Sequence, residues 1–434
     1  MSPGMRVVYV VKSQGIEKIR FDLVDFLVSC RETRGFVIEV LVNLQNLKIL
    51  HLHSFAEDTI LEMLPTCCAK LEELSMIKSR ITEKGLISLC QRENNGDETR
   101  SLNLRVIDLS GITQINDGVS YLLKNMPSLE IIVYQDLHLV LSNMYKLDVH
   151  KASEDKYNLT SFAIPYANTS NCSPRIQDVL CILSMCCPYI KVLSVPIETK
   201  QDLESISKLS ELEDFSAVDI SLTADLDLNW FLKQKGETLK RFKILKFRIS
   251  VDTLIQNCPN LESLTLQYTC FHLSDPNINL KQLNYLYELY IKSIHYNGNS
   301  KQAVIDILNC SPKLENLAFF DCEFKHDDEF ATKFTKYCED SNLHVLTFNT
   351  CDLDMPWLQA ILLTCSSLKT LVLDQCNGID SNNIETLYKV SLSLKNKVEI
   401  IHKCAGIGFP IYDSDVSYND MDFYRMFGLT LVNG

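Results

Sequence analysis

Cys258-Pro259-Asn260-Leu261-Glu262-Ser263-Leu264-Thr265-Leu266 spaces its leucines as leucine, two residues, leucine, one residue, leucine. The closing alternation has period two, so Leu264 and Leu266 share one face of a short strand while Thr265 points the other way. The same phrase returns at Leu47/Leu50/Leu52, Leu71/Leu74/Met76, Leu314/Leu317/Phe319 and Leu368/Leu371/Leu373. Looser copies sit at Leu104/Ile107/Leu109, Leu129/Ile132/Tyr134, Leu159/Phe162/Ile164 and Ile190/Leu193/Val195. More follow at Leu212/Phe215/Ala217, Leu239/Phe242/Ile244, Leu286/Leu289/Ile291 and Leu343/Leu346/Phe348. These make about thirteen units averaging roughly 27 residues, the period of a leucine-rich solenoid.

Between the triplets the apolar residues take helical spacing, as in Ile60, Leu61 and Leu64, or Ile361, Leu362 and Cys365. Each unit therefore reads as strand, turn, helix and return. The expected fold is α/β, a leucine-rich-repeat horseshoe with parallel strands on its concave face and helices on its convex face. One such unit cannot bury its own apolar face, so the stack must be cooperative. The solenoid is expected over residues 43–403, with a degenerate unit closing it near Val398-Glu-Ile-Ile401. A degenerate N-terminal repeat or cap covers 1–42, with a helix from Ile16 to Cys30. An acidic and aromatic C-terminal cap or tail covers 404–434. Pro65, Pro127, Pro188, Pro259 and Pro312 precede strands, where each can stop a helix. Asn116-Asp117 and Ser381-Asn382 offer helix caps. The polar run 91–100 and the stretch 150–158 read as loops.

The 434 residues exceed what one globular core usually supports, a limit that a stack escapes by lengthening. Hydrophobic content of 46% excludes wholesale disorder, and the formal charge of −13 argues against a nucleic-acid partner. No stretch has the apolar length of a membrane span or of a secretory core, so the expected place is cytoplasm or nucleus. The three Asn-x-Ser/Thr sequons at Asn158, Asn168 and Asn171 are then read as chance. The seventeen cysteines follow the repeat. Cys322, Cys351 and Cys376 each stand three residues after a last anchor, and Cys68, Cys187, Cys258 and Cys365 three before a first. Residues placed by a repeat are packing residues, and a free thiol packs as a small hydrophobe.

Units of the form C-P-x-L-x-x-L-x-L with a further cysteine resemble the cysteine-containing repeats of F-box/leucine-rich-repeat proteins. Cys258 to Leu266 is one; Cys365-Ser-Ser-Leu368-Lys-Thr-Leu371-Val-Leu373-Asp-Gln-Cys376 matches at both cysteines. The resemblance spans residues 40–403. It implies a substrate-recognition subunit of an SCF-type ubiquitin ligase, in which repeats hold the target and an F-box holds Skp1 and, through it, the cullin. No L-P-x-E-I helical block precedes the first repeat, and Phe21-Asp-Leu-Val-Asp-Phe-Leu27 lacks its proline and length. The chain then reads as an F-box-less or trimmed relative, or as a general scaffold or inhibitor outside ubiquitination.

No stretch of the chain carries a catalytic or metal-binding motif in its proper context. Ala405-Gly-Ile-Gly408 lacks the strand, helix and lysine of a phosphate loop. Cys181, Cys186 and Cys187, near Cys172, read as core packing, and no zinc spacing occurs. No serine or cysteine stands in an activating context. The expectation is a protein that is not an enzyme and has no cofactor or metal, a monomer within a hetero-complex holding a protein partner on its concave face. Strand alternation assigns that face to His51, His53, Arg241, Lys243, Glu288, Tyr290, Lys292, Asn316 and Phe320. Ser161, Ala163, Pro165, Val192, Ser194 and Pro196 share it as a small, uncharged zone. The run Lys240 to Arg248 concentrates five basic residues, Tyr290 and Phe320 are expected side by side, and the tail from Asp413 to Phe427 is expected to compete for that zone.

Overall fold

The computed structural model describes residues 5–12, 15–23, 30–90, 102–146, 149–165, 174–221, 226–272, 280–293, 298–324, 327–394 and 397–403. Among the described residues the chain forms two compact units, the first running to Val195 with Lys208–Glu211, the second comprising Pro196–Ser207 and residues 212–403. Both are leucine-rich-repeat solenoids of parallel strands and helices.

In the second unit the parallel strands run in chain order. They are Asp214–Asp219, Arg241–Leu245, Ser263–Gln267, Glu288–Lys292, Asn316–Phe320, Val345–Asn349, Thr370–Asp374 and Glu399–Lys403. Anchor stands opposite anchor: Phe242 faces Leu264, Leu264 faces Leu289, and Leu317 faces Leu346. The last strand is the degenerate copy expected near Val398. Because side chains alternate, burial alternates too, and Leu264 and Leu266 are buried while Ser263, Thr265 and Gln267 are half-buried.

Each strand is tied at both ends to its neighbour. At the entry, the residue after the first anchor donates its N–H to the equivalent carbonyl one repeat earlier. Glu262 donates to Lys240 at 2.7 Å, Tyr287 to Glu262 at 3.0 Å and His344 to Glu315 at 2.8 Å. At the exit a left-handed residue turns the chain out of the sheet. Tyr268, Ser293, Asp321, Thr350 and Gln375 have φ between 47° and 53°. Their N–H groups donate to the next repeat, as Asp321 does to the Asn349 carbonyl at 2.9 Å. A non-glycine residue in this region costs on the order of 1 kcal/mol, which the inter-repeat hydrogen bond offsets.

Both cysteine columns have a structural reason. Cys68, Cys187, Cys258 and Cys365 are the C-cap residues of helices Asp58–Cys67, Ile176–Cys186, Val251–Asn257 and Met355–Thr364, each N–H bonded to the carbonyl four residues back. In the later column the Cys351 thiol donates to the Phe319 carbonyl at 3.4 Å and Cys376 to Phe348 at 3.3 Å. Ser79 fills the same slot in the first unit and donates to Leu52 at 2.9 Å. The slot thus asks for a small side chain with a donor, and the described cysteines are free thiols.

The first unit carries strands Ile49–His53, Glu73–Ser75, Val106–Asp108 and Ile131–Val133 side by side in parallel, and Ser161–Ala163 beside Val192–Ile197. Its start differs from expectation. Gly15–Leu23 is a strand, antiparallel to Met5–Lys12 and parallel to Ile49–His53, and the helix is Cys30–Val42. Ile19, Phe21 and Leu23 alternate with Arg20 and Asp22, and the open edge of the sheet rewards that alternation with hydrogen bonds.

Punctuation differs in three places. Pro65 lies inside helix Asp58–Cys67, in its last turn, whereas Pro127, Pro188, Pro259 and Pro312 follow helix ends. Asp380, not Ser381, caps helix Ser381–Ser393 by accepting from Asn383 N–H at 2.8 Å. Asn116 starts its helix and accepts from the Tyr134 hydroxyl at 2.7 Å instead of capping. The run 91–100, Cys172, Ala405 to Gly408 and the whole segment 404–434 lie outside the described residues. Among described residues no helix is long and apolar enough to cross a membrane.

Candidate functional site: two strand faces

On the second unit the outward residues form cross-strand rows. One runs Arg241, Ser263, Glu288, Asn316; the next runs Lys243, Thr265, Tyr290, Ala318, Thr347, Val372; the third runs Gln267, Lys292, Phe320, Asn349, Asp374. Seven of the nine residues named from the strand alternation lie in these rows, and His51 and His53 lie on the first unit. Arg241 is exposed, while Lys243, Glu288, Tyr290, Lys292, Asn316 and Phe320 are half-buried between core leucines.

Tyr290 and Phe320 are not opposite each other. Tyr290 faces Ala318, and Phe320 faces Lys292, so the two rings stand on a diagonal in adjacent rows. The count of two residues per face is the cause: Phe320 lies two positions beyond Ala318. Lys292 Nζ lies 5.9 Å from the Tyr268 ring centroid, within reach of a cation–π contact. Burial raises the Tyr290 hydroxyl pKa, and the Glu288 carboxylate adds to it, so this phenol stays a neutral hydrogen-bonding group.

The basic run is dispersed by the fold. Lys240 lies on the entry edge and pairs with Glu213 at 2.7 Å. Arg241 Nε donates to Asp214 at 2.9 Å. Burial raises the Asp214 pKa and the Arg241 guanidinium opposes it. Lys246 is exposed at the left-handed exit, and Arg248 begins the short strand Arg248–Ser250, which pairs with Cys270–His272. Only Arg241 and Lys243 of the five belong to the strand-face rows.

The first unit presents a different surface. His51 and His53 are half-buried with rings stacked at 5.6 Å and 15°. His53 Nε2 lies 3.2 Å from Ser75 Oγ, and Ser75 donates to Asp108 Oδ2 at 3.2 Å. Asp108 also accepts from the Ser110 hydroxyl, and from the Ser110 N–H at 3.0 Å. Burial raises its pKa against those hydrogen bonds. The order histidine, serine, aspartate differs from that of a nucleophile triad. The serine hydroxyl donates its hydrogen bond to the carboxylate and stands between it and the imidazole, whereas a triad places the imidazole in the middle. Ser75, Asp108 and Ser110 went unnoticed in the sequence, although Asp108 stands between the anchors Ile107 and Leu109, where alternation points it outward.

Along the entry edge of this unit runs an open groove of about 350 Å³. Its lining includes the ion pairs Arg105–Glu130 at 2.7 Å and Lys191–Glu211 at 3.6 Å, with Asn158, Thr160 and Tyr189 among its other residues. Cys186 and Cys187 are buried with sulfurs 3.6 Å apart. Among described residues no group of histidines, cysteines and acids is arranged to hold a metal ion.

No model of a known protein family matches this chain, and no curated protein does. Solved structures of similar shape include an internalin from Listeria monocytogenes, 18% identical over 78% of this chain and 82% of that one, at a TM-score of 0.40. A chain of the octameric complex of Latrophilin 3, Unc5D and the leucine-rich-repeat protein FLRT2 is 11% identical over 84% and 86%, at 0.28. A chain of the Rad7 and Elc1 complex of yeast is 15% identical over 62% and 87%, also at 0.28. Likenesses this slight carry no argument about function.

Proposed function

We propose that this chain is a protein-interaction module that grips a protein partner on the strand face of its second unit, through Lys243, Tyr290, Lys292 and Phe320. The supporting observation is the half-buried row of mixed character on a sheet tied at both strand ends. Tyrosine, phenylalanine and cations held on a rigid, closely packed base are the material of binding hot spots. Arg241, Glu288 and Asn316 form the polar border of the same surface.

Within that reading, the cysteine-type repeats favour a substrate-recognition subunit of an SCF-type ubiquitin ligase, or a relative without an F-box. A general scaffold or inhibitor is the second reading. It is favoured by the strand at Gly15–Leu23, since the segment nearest an F-box pattern begins at Phe21, inside that strand. Affinity capture of the full chain from cells separates the two. Skp1 and cullin recovered with the wild type support the ligase subunit, and their absence with a partner still bound supports the scaffold. A Tyr290→Ala, Phe320→Ala double variant is expected to lose the partner by about a hundredfold, the sum of two hot-spot truncations near 1–2 kcal/mol each. Retention of the partner by this variant would remove the second-unit face as the site.

A further inference from the structure

The residue after each first anchor sits on the entry edge of the sheet, bonded backbone to backbone to its equivalents in the adjacent repeats. Along the first unit this edge alternates in charge as Lys48, Glu72, Arg105 and Glu130. Neighbours pair, Lys48 with Glu72 at 3.7 Å and Arg105 with Glu130 at 2.7 Å. The edge of the second unit begins alike, with Glu213, Lys240 and Glu262. Its next two places hold Tyr287 and Glu315, so a tyrosine stands where the alternation calls for a cation. Tyr287 N–H donates to the Glu262 carbonyl and its own carbonyl accepts from Glu315. Each glutamate is therefore one strand step, about 4.8 Å, to either side. The Tyr287 side chain is accessible at 38% exposure, and its hydroxyl donates to the Glu262 carboxylate at 3.3 Å. Glu315 lies 3.7 Å from His344, a partner charged only when protonated. The cations nearby are engaged. Lys240 is bonded to Glu213 at 2.7 Å and feels Glu262 only through space, and Arg241 Nε donates to Asp214 at 2.9 Å. Lys281 reaches the Gln256 carbonyl at 3.5 Å. Lys313 Nζ stands 5.6 Å from the ring centroid of exposed Tyr285, so this edge already holds one cation against an aromatic ring. Burial, then the Glu262 and Glu288 carboxylates, raise the Tyr287 hydroxyl pKa, a field that Arg241 opposes.

We propose that Tyr287, between Glu262 and Glu315, is the docking place for an arginine of a protein partner, carried on a basic segment that crosses the entry edge of the second unit. The guanidinium lies over the Tyr287 ring and takes the carboxylates on either side as its acceptors. Arginine suits the place better than lysine, because its planar head stacks on a ring and donates to a carboxylate at the same time. The backbone bonds to both neighbouring repeats hold the ring's position, so little ordering is left to binding. A formal charge of −13 favours encounter with such a segment. This partner chemistry goes beyond the strand-face reading and stands without it.

The test titrates the full chain by calorimetry with a capped tetra-arginine peptide and with its tetra-lysine counterpart. Wild type is expected to bind the arginine peptide at least about threefold more tightly than the lysine peptide. Tyr287→Lys supplies the missing cation from within the chain and is expected to weaken the arginine peptide by at least about tenfold, through loss of the ring and of the open carboxylates. Should that variant not fold, Glu315→Gln makes the same measurement with an expected loss of about threefold. Glu72→Gln removes the same charge where Lys48 already answers it, and is expected to change the affinity less than about twofold. Three results overturn the proposal: no binding or equal binding of the two peptides, unchanged affinity in Tyr287→Lys, or an equal loss in Glu72→Gln, which would make the binding a property of the overall negative field. The Tyr290→Ala, Phe320→Ala variant is expected to bind the arginine peptide as wild type does. Loss of the peptide there would move the arginine to the strand face and overturn the edge site, so the two readings fail separately.

Discussion

At the residue scale, the direction of one side chain decides whether a charge is tolerated. Leu264 is fully buried and Thr265, the next residue, is half-buried on the outward row. Leu264→Asp would place an unpaired carboxylate in the shared core and is expected to cost at least about 3 kcal/mol. Thr265→Asp leaves the charge in reach of water and is expected to cost less than about 1 kcal/mol. Urea denaturation of the two variants measures both, and equal losses would contradict the inward and outward assignment. The alternation that separates these two residues was legible in the leucine spacing, and so were all nine outward positions named from it. The pairing of Lys240 with Glu213 and of Arg241 with Asp214 was not, because partners 27 residues apart meet only once the repeats are stacked.

At the scale of elements, repeats approach as closely as their backbones allow. Gly236, in the turn after helix Asn229–Lys235, shows the limit: a Cβ there would lie 2.4 Å from the Asn257 carbonyl oxygen and 2.9 Å from Cys258 Sγ. Neither obstacle is a flexible side-chain end. Gly236→Ala is therefore expected to destabilise the second unit by about 2 kcal/mol through overpacking, measured as a lower urea midpoint with an unchanged slope. Unchanged stability would show that adjacent repeats can slide. Strand and helix identities were legible here, since period two and period 3.6 separate cleanly within each repeat. The start of the chain was not. Gly15–Leu23 takes a strand because an edge lies beside it, and a propensity reading of isolated residues cannot include that edge. Likewise the left-handed exits at Tyr268, Asp321 and Thr350 carry no glycine to announce them.

At the scale of the molecule, one buried imidazole sets a pH limit. His138, in helix Leu137–Tyr145, has its pKa lowered by burial from 6.5 to about 4. The unfolded chain therefore takes up the proton first as pH falls. The stability held above pH 6.5 is lost progressively down to pH 4, by about 3 kcal/mol in all. His138→Leu is expected to flatten that part of the profile, followed as the urea midpoint at pH 7, 5.5 and 4.5. A slope identical to wild type would place the acid sensitivity elsewhere.

The amino-acid sequence by itself determined that this protein is a solenoid of cysteine-containing leucine-rich repeats, and which side chains line its strands. Both follow from spacing within a single repeat, and spacing is a local property. Tertiary structure alone decided that the basic run is dispersed among acidic neighbours, that Tyr290 and Phe320 stand on a diagonal, and that His53, Ser75 and Asp108 of three successive repeats meet in one hydrogen-bonded row. Each of these depends on groups that stacking brings together from distant parts of the chain, and no periodicity encodes what will lie across a face.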